Sequence, residues 1–297
     1  VLKHPQRFTG NKQVVRDLQC DAIQKYLKSR LGQLSYFGLP SSSLEDVTQW
    51  YALLGHITAV ERGELGSEWN RQNELLVNAF RFGISQKLTL LRGDIDQIII
   101  DGTDLFGQRP NWPYDIVSLD YSGGLFYSDQ SGKPVRLEAI GQVFKNQSTA
   151  KATDFVFLLS FNLHKVDHGE VKRTLEVIRR DLQRFGDSAN EVIDAYQNHP
   201  KDQARLKIYV AYLVDGLAVK ENYETESDLP VVFYRGNRNT EMMAFRFYFK
   251  KSQRTFAPRP PKQRINQVIN RRMIEIVGGK QVVTNLGLPL LRSGPSR

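Results

Sequence analysis

Asp120 and Tyr121 stand where an apolar run, Ile116-Val117-Ser118-Leu119, gives way to Ser122-Gly123-Gly124. A carboxylate can hold or remove a proton from an attacking nitrogen or oxygen. An aromatic ring can stack on an unpaired base. Ser-Gly and Gly-Gly are also plain turn signals. In an open α/β sheet, ligands bind just beyond the carboxyl ends of the strands, so this tip is a candidate reaction centre. Other apolar runs end in comparable residues: Gly38 and, past Pro40, Ser41; Glu61 and Arg62 after 56–60; Asp94 and Ile95 after 88–91 and Arg92-Gly93; Asn162 and His164 after 153–161. An acid at a second strand tip can accept hydrogen bonds from both hydroxyls of a ribose. A turn or a helix start uses the same residue type. His164 and His168 are four apart with Asp167 between them, a spacing that can bind a metal on a helix. Gly169 argues against a helix there, and no metal is expected.

These tips need elements to hold them. Apolar periodicity predicts helices over 11–31, 44–54, 69–82, 136–146, 170–185, 188–197 and 202–221. Strands are expected over 34–40, 56–60, 88–91, 114–124 and 153–161. A final pair over 229–236 and 242–249 is joined by the turn at 236–239, which makes it an antiparallel hairpin. Ser41, Ser42 and Ser43 are candidates to cap the second helix. Only one helix is needed between the fifth and sixth strands, so the surplus reads as an insertion of about 170–221 facing a substrate. The order is α/β: a three-layer, Rossmann-like, mostly parallel sheet of about seven strands ending in an antiparallel hairpin. A helical segment (1–33) precedes the main domain (34–251), and a basic extension (252–297) follows it.

The single cysteine, Cys20, excludes an internal disulfide and a multi-cysteine zinc site. No apolar run reaches the length of a membrane span. The expectation is a cytoplasmic protein with no membrane association. Net charge is +9, but 250–297 carries 11 Lys/Arg against Glu275 alone, or +10; +9 less +10 leaves −1 for 1–249. The excess sits in the C-terminal segment, which points to an anionic partner, nucleic acid above all. A solubilising tail is the plainer reading. The prolines at 258, 260 and 261 predict an extended linker, and 263–276 a helix. Lys250, Arg264, Arg271 and Arg272 are the candidate phosphate contacts.

The layout resembles that of class I S-adenosylmethionine-dependent methyltransferases over roughly 34–251. The segment from Tyr114 to Gly123 is similar to the fourth-strand motif of tRNA guanine-N2 dimethyltransferases and of the three-Cys-motif partner proteins, although Asp120-Tyr121-Ser122-Gly123 lacks their proline. The resemblance implies a cofactor, S-adenosyl-L-methionine. Gly38 and Ser41 would line its methionine part, Glu61 and Arg62 its ribose, Asp94 and Ile95 its adenine. Asp120 and Tyr121 would border the transferred methyl, and Asn162 and His164 would touch substrate. The family's first loop is acidic and rich in glycine, whereas this one reads Tyr36-Phe37-Gly38-Leu39-Pro40-Ser41. The functional expectation is a methyltransferase acting on RNA or DNA. Its alternatives are an inactive methyltransferase-like subunit binding nucleic acid or a protein partner, and a small-molecule methyltransferase with an incidental tail.

Overall fold

Short apolar runs bounded by turn residues form the strands, and amphipathic runs between them form the covering helices. The computed structural model describes residues 10–62, 69–128, 132, 134–164, 166–183, 189–225, 229–236, 239–252 and 261–283. In chain order, α1 (Gly10–Tyr26), β1 (Leu34–Gly38), α2 (Glu45–Trp50), β2 (Leu54–Glu61), α3 (Trp69–Arg81), β3 (Leu88–Arg92), α4 (Ile95–Asp101) and β4 (Ile116–Gly124) make the first half. Next come α5 (Val135–Thr149), β5 (Asp154–Asn162), α6 (His168–Gln183), α7 (Ala189–Gln197), α8 (Asp202–Lys220), β6 (Tyr223–Thr225), β7 (Val231–Arg235) and β8 (Glu241–Lys251). The chain continues through α9 (Pro261–Asn270), β9 (Met273–Val277) and β10 (Lys280–Val283).

The strands join one sheet in the order β10-β9-β7-β8-β5-β4-β1-β2-β3, with β6 pairing with β8. β1 to β5 are parallel, β8 is antiparallel to β5 and β7, and β9 runs parallel to β7. Successive side chains alternate between the two faces. Tyr36, Ile57, Ile116 and Val156 join the core under α1, α2 and α3. Phe37, Val117, Leu119, Phe155 and Phe157 join the larger core on the other face, with residues of α4 to α9. Both faces being covered explains why β5 is apolar throughout.

The α/β class, the parallel half and the β7/β8 hairpin are as the sequence predicts. The strand number is not: among the described residues ten strands replace about seven. The additions come from β6 and from the segment taken as a basic extension. Where a helix is predicted over 263–276, α9 ends at Asn270 and β9 begins at Met273. Ile274, Ile276 and Val277 are β-branched and favour the strand. Gly278 and Gly279 both take positive φ (56° and 76°), the geometry that a two-residue hairpin turn to β10 requires. α9 buries Ile265, Val268 and Ile269 in the main core. α6 also buries an apolar stripe there, through Val171, Leu175, Ile178 and Leu182. None of Ser41, Ser42 and Ser43 caps α2; buried Leu44 occupies that position with φ 55°. Among the described residues, no helix is long and apolar enough to cross a membrane.

Candidate active site at the strand reversal

The chain order reverses between β1 and β4, and a crevice opens outside the carboxyl ends of strands at such a reversal. Gly38 ends β1 there. A Cβ on it would lie 2.2 Å from the Ser118 carbonyl oxygen and 2.8 Å from the Tyr36 hydroxyl. The Leu39 amide donates to the same Ser118 oxygen at 3.3 Å. Glycine is therefore required because β4 passes so close. The loop then turns at Ser41 (φ 60°), whose hydroxyl meets that of Ser43 at 2.8 Å.

Glu61 and Asp94 end adjacent strands. Glu61 pairs in register with Arg92, and its carbonyl accepts from the Gly93 amide at 3.0 Å. Its carboxylate accepts from the Arg62 amide at 3.3 Å. Asp94 caps α4, accepting from the Asp96 amide at 2.9 Å, while its other oxygen lies 3.7 Å from Arg62. Ile95 faces inward and is 5% exposed, so its side chain belongs to the core.

Asp120 and Tyr121 separate. Neighbouring strand residues point to opposite faces, so the two do not share a site. Asp120 faces α1 and pairs with Lys12 at 3.1 Å. Beside them, Arg16 bonds Asp46 and lies 2.7 Å from Glu45. Burial pushes the Asp46 carboxyl up against the pull of Arg16, and the neighbouring Asp120 adds to the rise. Asp120 in turn raises the Lys12 ammonium. With Val15, Gln19, Ser118, Ser160 and Tyr234 they line a narrow recess of ≈ 10 Å³, room for about one water. Arg16 and Asp46 are almost wholly buried, and removing one partner of such a pair costs about 3–5 kcal/mol. The Lys12–Asp120 pair keeps partial exposure and is worth at most about 1 kcal/mol.

Tyr121 lies on the other face, 3% exposed, where it cannot stack on an incoming base. Its hydroxyl donates to Asp96 at 2.6 Å, and the Arg136 guanidinium sits 4.3 Å from its ring. Burial raises the Asp96 carboxyl to about 6, against the opposing hydrogen bond from Tyr121. Arg136 also lies 5.1 Å from the half-exposed ring of Tyr127 and donates to the Gly124 carbonyl.

The remaining candidates scatter. Asn162 braces two strand tips: its amide donates to the Ser122 carbonyl at 2.6 Å and accepts from the His164 backbone amide at 3.1 Å. His164 is exposed beside them, and His168 lies 3.7 Å from Asp202. Lys250 pairs in register with Asp154, at the opposite end of β5 from Asn162, and so stands at the far edge of the sheet. Arg264 bonds Asp215 at 2.6 Å. Arg271 is 5% exposed, donates to the Leu229 and Arg246 carbonyls and lies 4.6 Å from the Phe247 ring. Arg264 and Arg271 are therefore committed inside the fold and do not offer phosphate contacts. The Arg272 carbonyl accepts from the Val231 amide at 2.8 Å, and its side chain is exposed.

No family model matches the chain, and no curated protein does. Solved structures overlap it loosely. A candidate RNA methyltransferase from Pyrococcus horikoshii is 10% identical with a TM-score of 0.44, covering 82% of this chain and 84% of that one. TYW2 of M. jannaschii, solved with AdoMet, is 7% identical at 0.42, covering 84% and 79%. An O-methyltransferase from Bacillus cereus, solved with SAH, is 12% identical at 0.40, covering 84% and 94%. At these scores and identities the likeness assigns no activity.

The sequence reading missed residues on both faces of β4: Lys12, Arg16 and Asp46 on the side of Asp120, and Asp96, Arg136 and Tyr127 on the side of Tyr121. One signal was available. Arg16 and Gln19 interrupt the stripe Val15, Ala22 and Ile23 on the buried side of α1, so a polar group had to lie beneath them. Nothing in the sequence alone brings Asp46 or Asp96 to its partner. Among the described residues, no cluster of three or more His, Cys, Asp or Glu could hold a metal.

Proposed function

We propose that the chain is an S-adenosylmethionine-dependent methyltransferase acting on nucleic acid. The observation that carries this reading is the set of carboxylates on the carboxyl side of neighbouring strands: Glu61 ends β2, Asp94 follows β3 as the cap of α4, and Asp120 lies within β4 four residues before its end. The residues suit a nucleoside with an amino-acid arm. Glu61 would accept the ribose hydroxyls and Asp94 the adenine amino group, with Arg62 steadying Asp94. Lys12, which keeps partial exposure, would meet the carboxylate of the arm. The cofactor supplies a methyl group on a sulfonium. The protein holds the acceptor in line with that methyl, and Asp120 takes or orients its proton.

Support for a nucleic-acid substrate moves from the C-terminal segment to the edge that carries the site. Phe106 is 69% exposed with the Arg92 guanidinium 5.1 Å from its ring. Tyr127, 51% exposed, has Arg136 in the same relation. Aromatic faces beside arginine suit unpaired bases and their phosphates. A second reading, a methyltransferase-like subunit without cofactor, is favoured by the closed first loop, where Leu39 bonds β4 and the Arg16–Asp46 pair lies below.

Calorimetric titration with S-adenosylhomocysteine separates the two. The first reading expects a Kd of about micromolar, weakened about tenfold or more by Glu61→Ala and by Asp94→Ala. Asp94→Ala also costs about 1 kcal/mol of stability through the lost cap, so its melting temperature is measured alongside. No heat at about millimolar ligand supports the second reading. Affinity unchanged in both variants removes the site assignment.

A further inference from the structure

Asp120, the carboxylate assigned above to the acceptor, already has a partner. Gly38, the last residue of β1, stands in register with Ser118 of β4. Asp120 is two residues further along β4, on the same face as Ser118, so it projects about 7 Å past the tip of β1. It therefore stands at the mouth of the crevice, on the side covered by α1. There the Lys12 ammonium meets it at 3.1 Å. Neither group is sealed from solvent: the two side chains are 32% and 19% exposed.

Two features confine any exchange of partners here to the Lys12 side chain. The start of α1 is clasped: the Asn11 amide donates to the Arg235 carbonyl at 3.0 Å, and its oxygen accepts from the Gly279 amide at 2.8 Å. The long, flexible stem of Lys12 can turn while the helix stays in place. Deeper in the recess, Arg16 and Asp46 are almost wholly buried and bonded to each other. Parting them would strand a buried charge, whereas a partly exposed pair such as Lys12–Asp120 is cheap to break. With room for about one water, the recess admits no part of a larger ligand. Lys12, not Arg16, is therefore the cation open to an incoming carboxylate, and it is the cation that Asp120 already holds.

We propose that Lys12 is a positioning residue that changes partner: it holds Asp120, as seen here, and turns to the carboxylate of the cofactor's amino-acid arm when that arm enters. Asp120 is then released to the acceptor only once the methyl donor is in place. The inference rests on the methyltransferase reading and adds an order of events to it. Two carboxylates compete for one ammonium, so each weakens the hold of the other, and the coupling is reciprocal. Removing the Asp120 charge must therefore tighten the binding of the arm, although Asp120 belongs to the reaction centre. If Asp120 instead gripped the ammonium of the arm, its removal would do the opposite.

Calorimetric titration of the full chain with S-adenosylhomocysteine, and with 5′-methylthioadenosine, which lacks the arm, tests the exchange. Asp120→Asn (or Asp120→Ala, if the first variant does not fold) tightens S-adenosylhomocysteine by about two- to fivefold, the worth of a partly exposed pair. It leaves 5′-methylthioadenosine unchanged, which a general disturbance of the site would not do. Lys12→Met weakens S-adenosylhomocysteine by about tenfold or more. Adding Asp120→Asn to Lys12→Met brings no further tightening, because the two effects act through one ammonium. An Asp120 variant that weakens S-adenosylhomocysteine, or leaves it unchanged, overturns the exchange while both compounds still bind the wild type. So does tightening that persists without Lys12. If neither compound binds the wild type, the methyltransferase reading itself falls, and the exchange falls with it.

Discussion

Gly38 shows how a single residue can be set by its neighbour rather than by a ligand. Its missing Cβ is what lets the Ser118 carbonyl approach. Gly38→Ala must push β1 away from β4, and overpacking of this kind costs about 1–3 kcal/mol; a urea melt would show it as a lowered midpoint with an unchanged slope. Lys207 gives a second residue-scale test, away from the site. Its ammonium is 4% exposed, bonded to the Tyr196 hydroxyl at 3.0 Å and the Ile269 carbonyl at 2.8 Å. Burial, with Arg271 adding, lowers it from 10.5 to about 7. Between those values the unfolded chain binds the proton more readily than the native state does. Stability from this group therefore rises with pH across that window. Lys207→Met should flatten the rise and increase stability at neutral pH by on the order of a few kcal/mol. Denaturation curves at neutral and alkaline pH check this, and equal slopes in the two proteins would contradict the assignment.

At the scale of elements, β1 to β5 were legible because each is a short apolar run with a turn signal at its end. So was the β7/β8 hairpin, through Gly236-Asn237. The segment after Lys251 was misread for an equally physical reason. Its basic residues drew attention as charge, although Arg264 and Arg271 serve as internal partners. The alternation in Met273–Val277 followed by Gly278-Gly279 is a hairpin signal that a helical spacing of isoleucines obscured. Asp120 and Tyr121 were read together because they are adjacent, whereas strand geometry sends them to opposite faces. Contacts between distant elements, such as Lys12 with Asp120, were beyond reach because helix packing decides them. A chain ending at 252 tests the integration of α9 to β10. It loses the burial of Ile265, Val268, Ile269, Met273 and Ile276. At about 1.5–3 kcal/mol each, that loss rivals the whole stability of a domain, about 5–15 kcal/mol. The expected product is insoluble or lacks cooperative unfolding; a well-folded 1–252 by circular dichroism and melting would show the segment to be dispensable.

Across the whole molecule, the two ends of the sheet are finished differently. β3 ends it on one side beside the exposed flank of α3. On the other side β10 closes it, and α1 packs across the hairpin, with the Gly279 amide donating to Asn11 at 2.8 Å. Residues near the start of the described chain thus fasten β9 and β10, more than 250 residues further along. β7 pairs with β9 in parallel register, from Val231 opposite Met273 to Tyr234 opposite Ile276. That pairing imposes an order on biosynthesis. While residues 261–283 are still within the ribosome, the Val231–Arg235 strand has no outer neighbour and α1 has no hairpin to rest on. An apolar open edge is a template for other nascent chains. Until residues 261–283 emerge, that edge therefore stands without the neighbour it has in the folded chain.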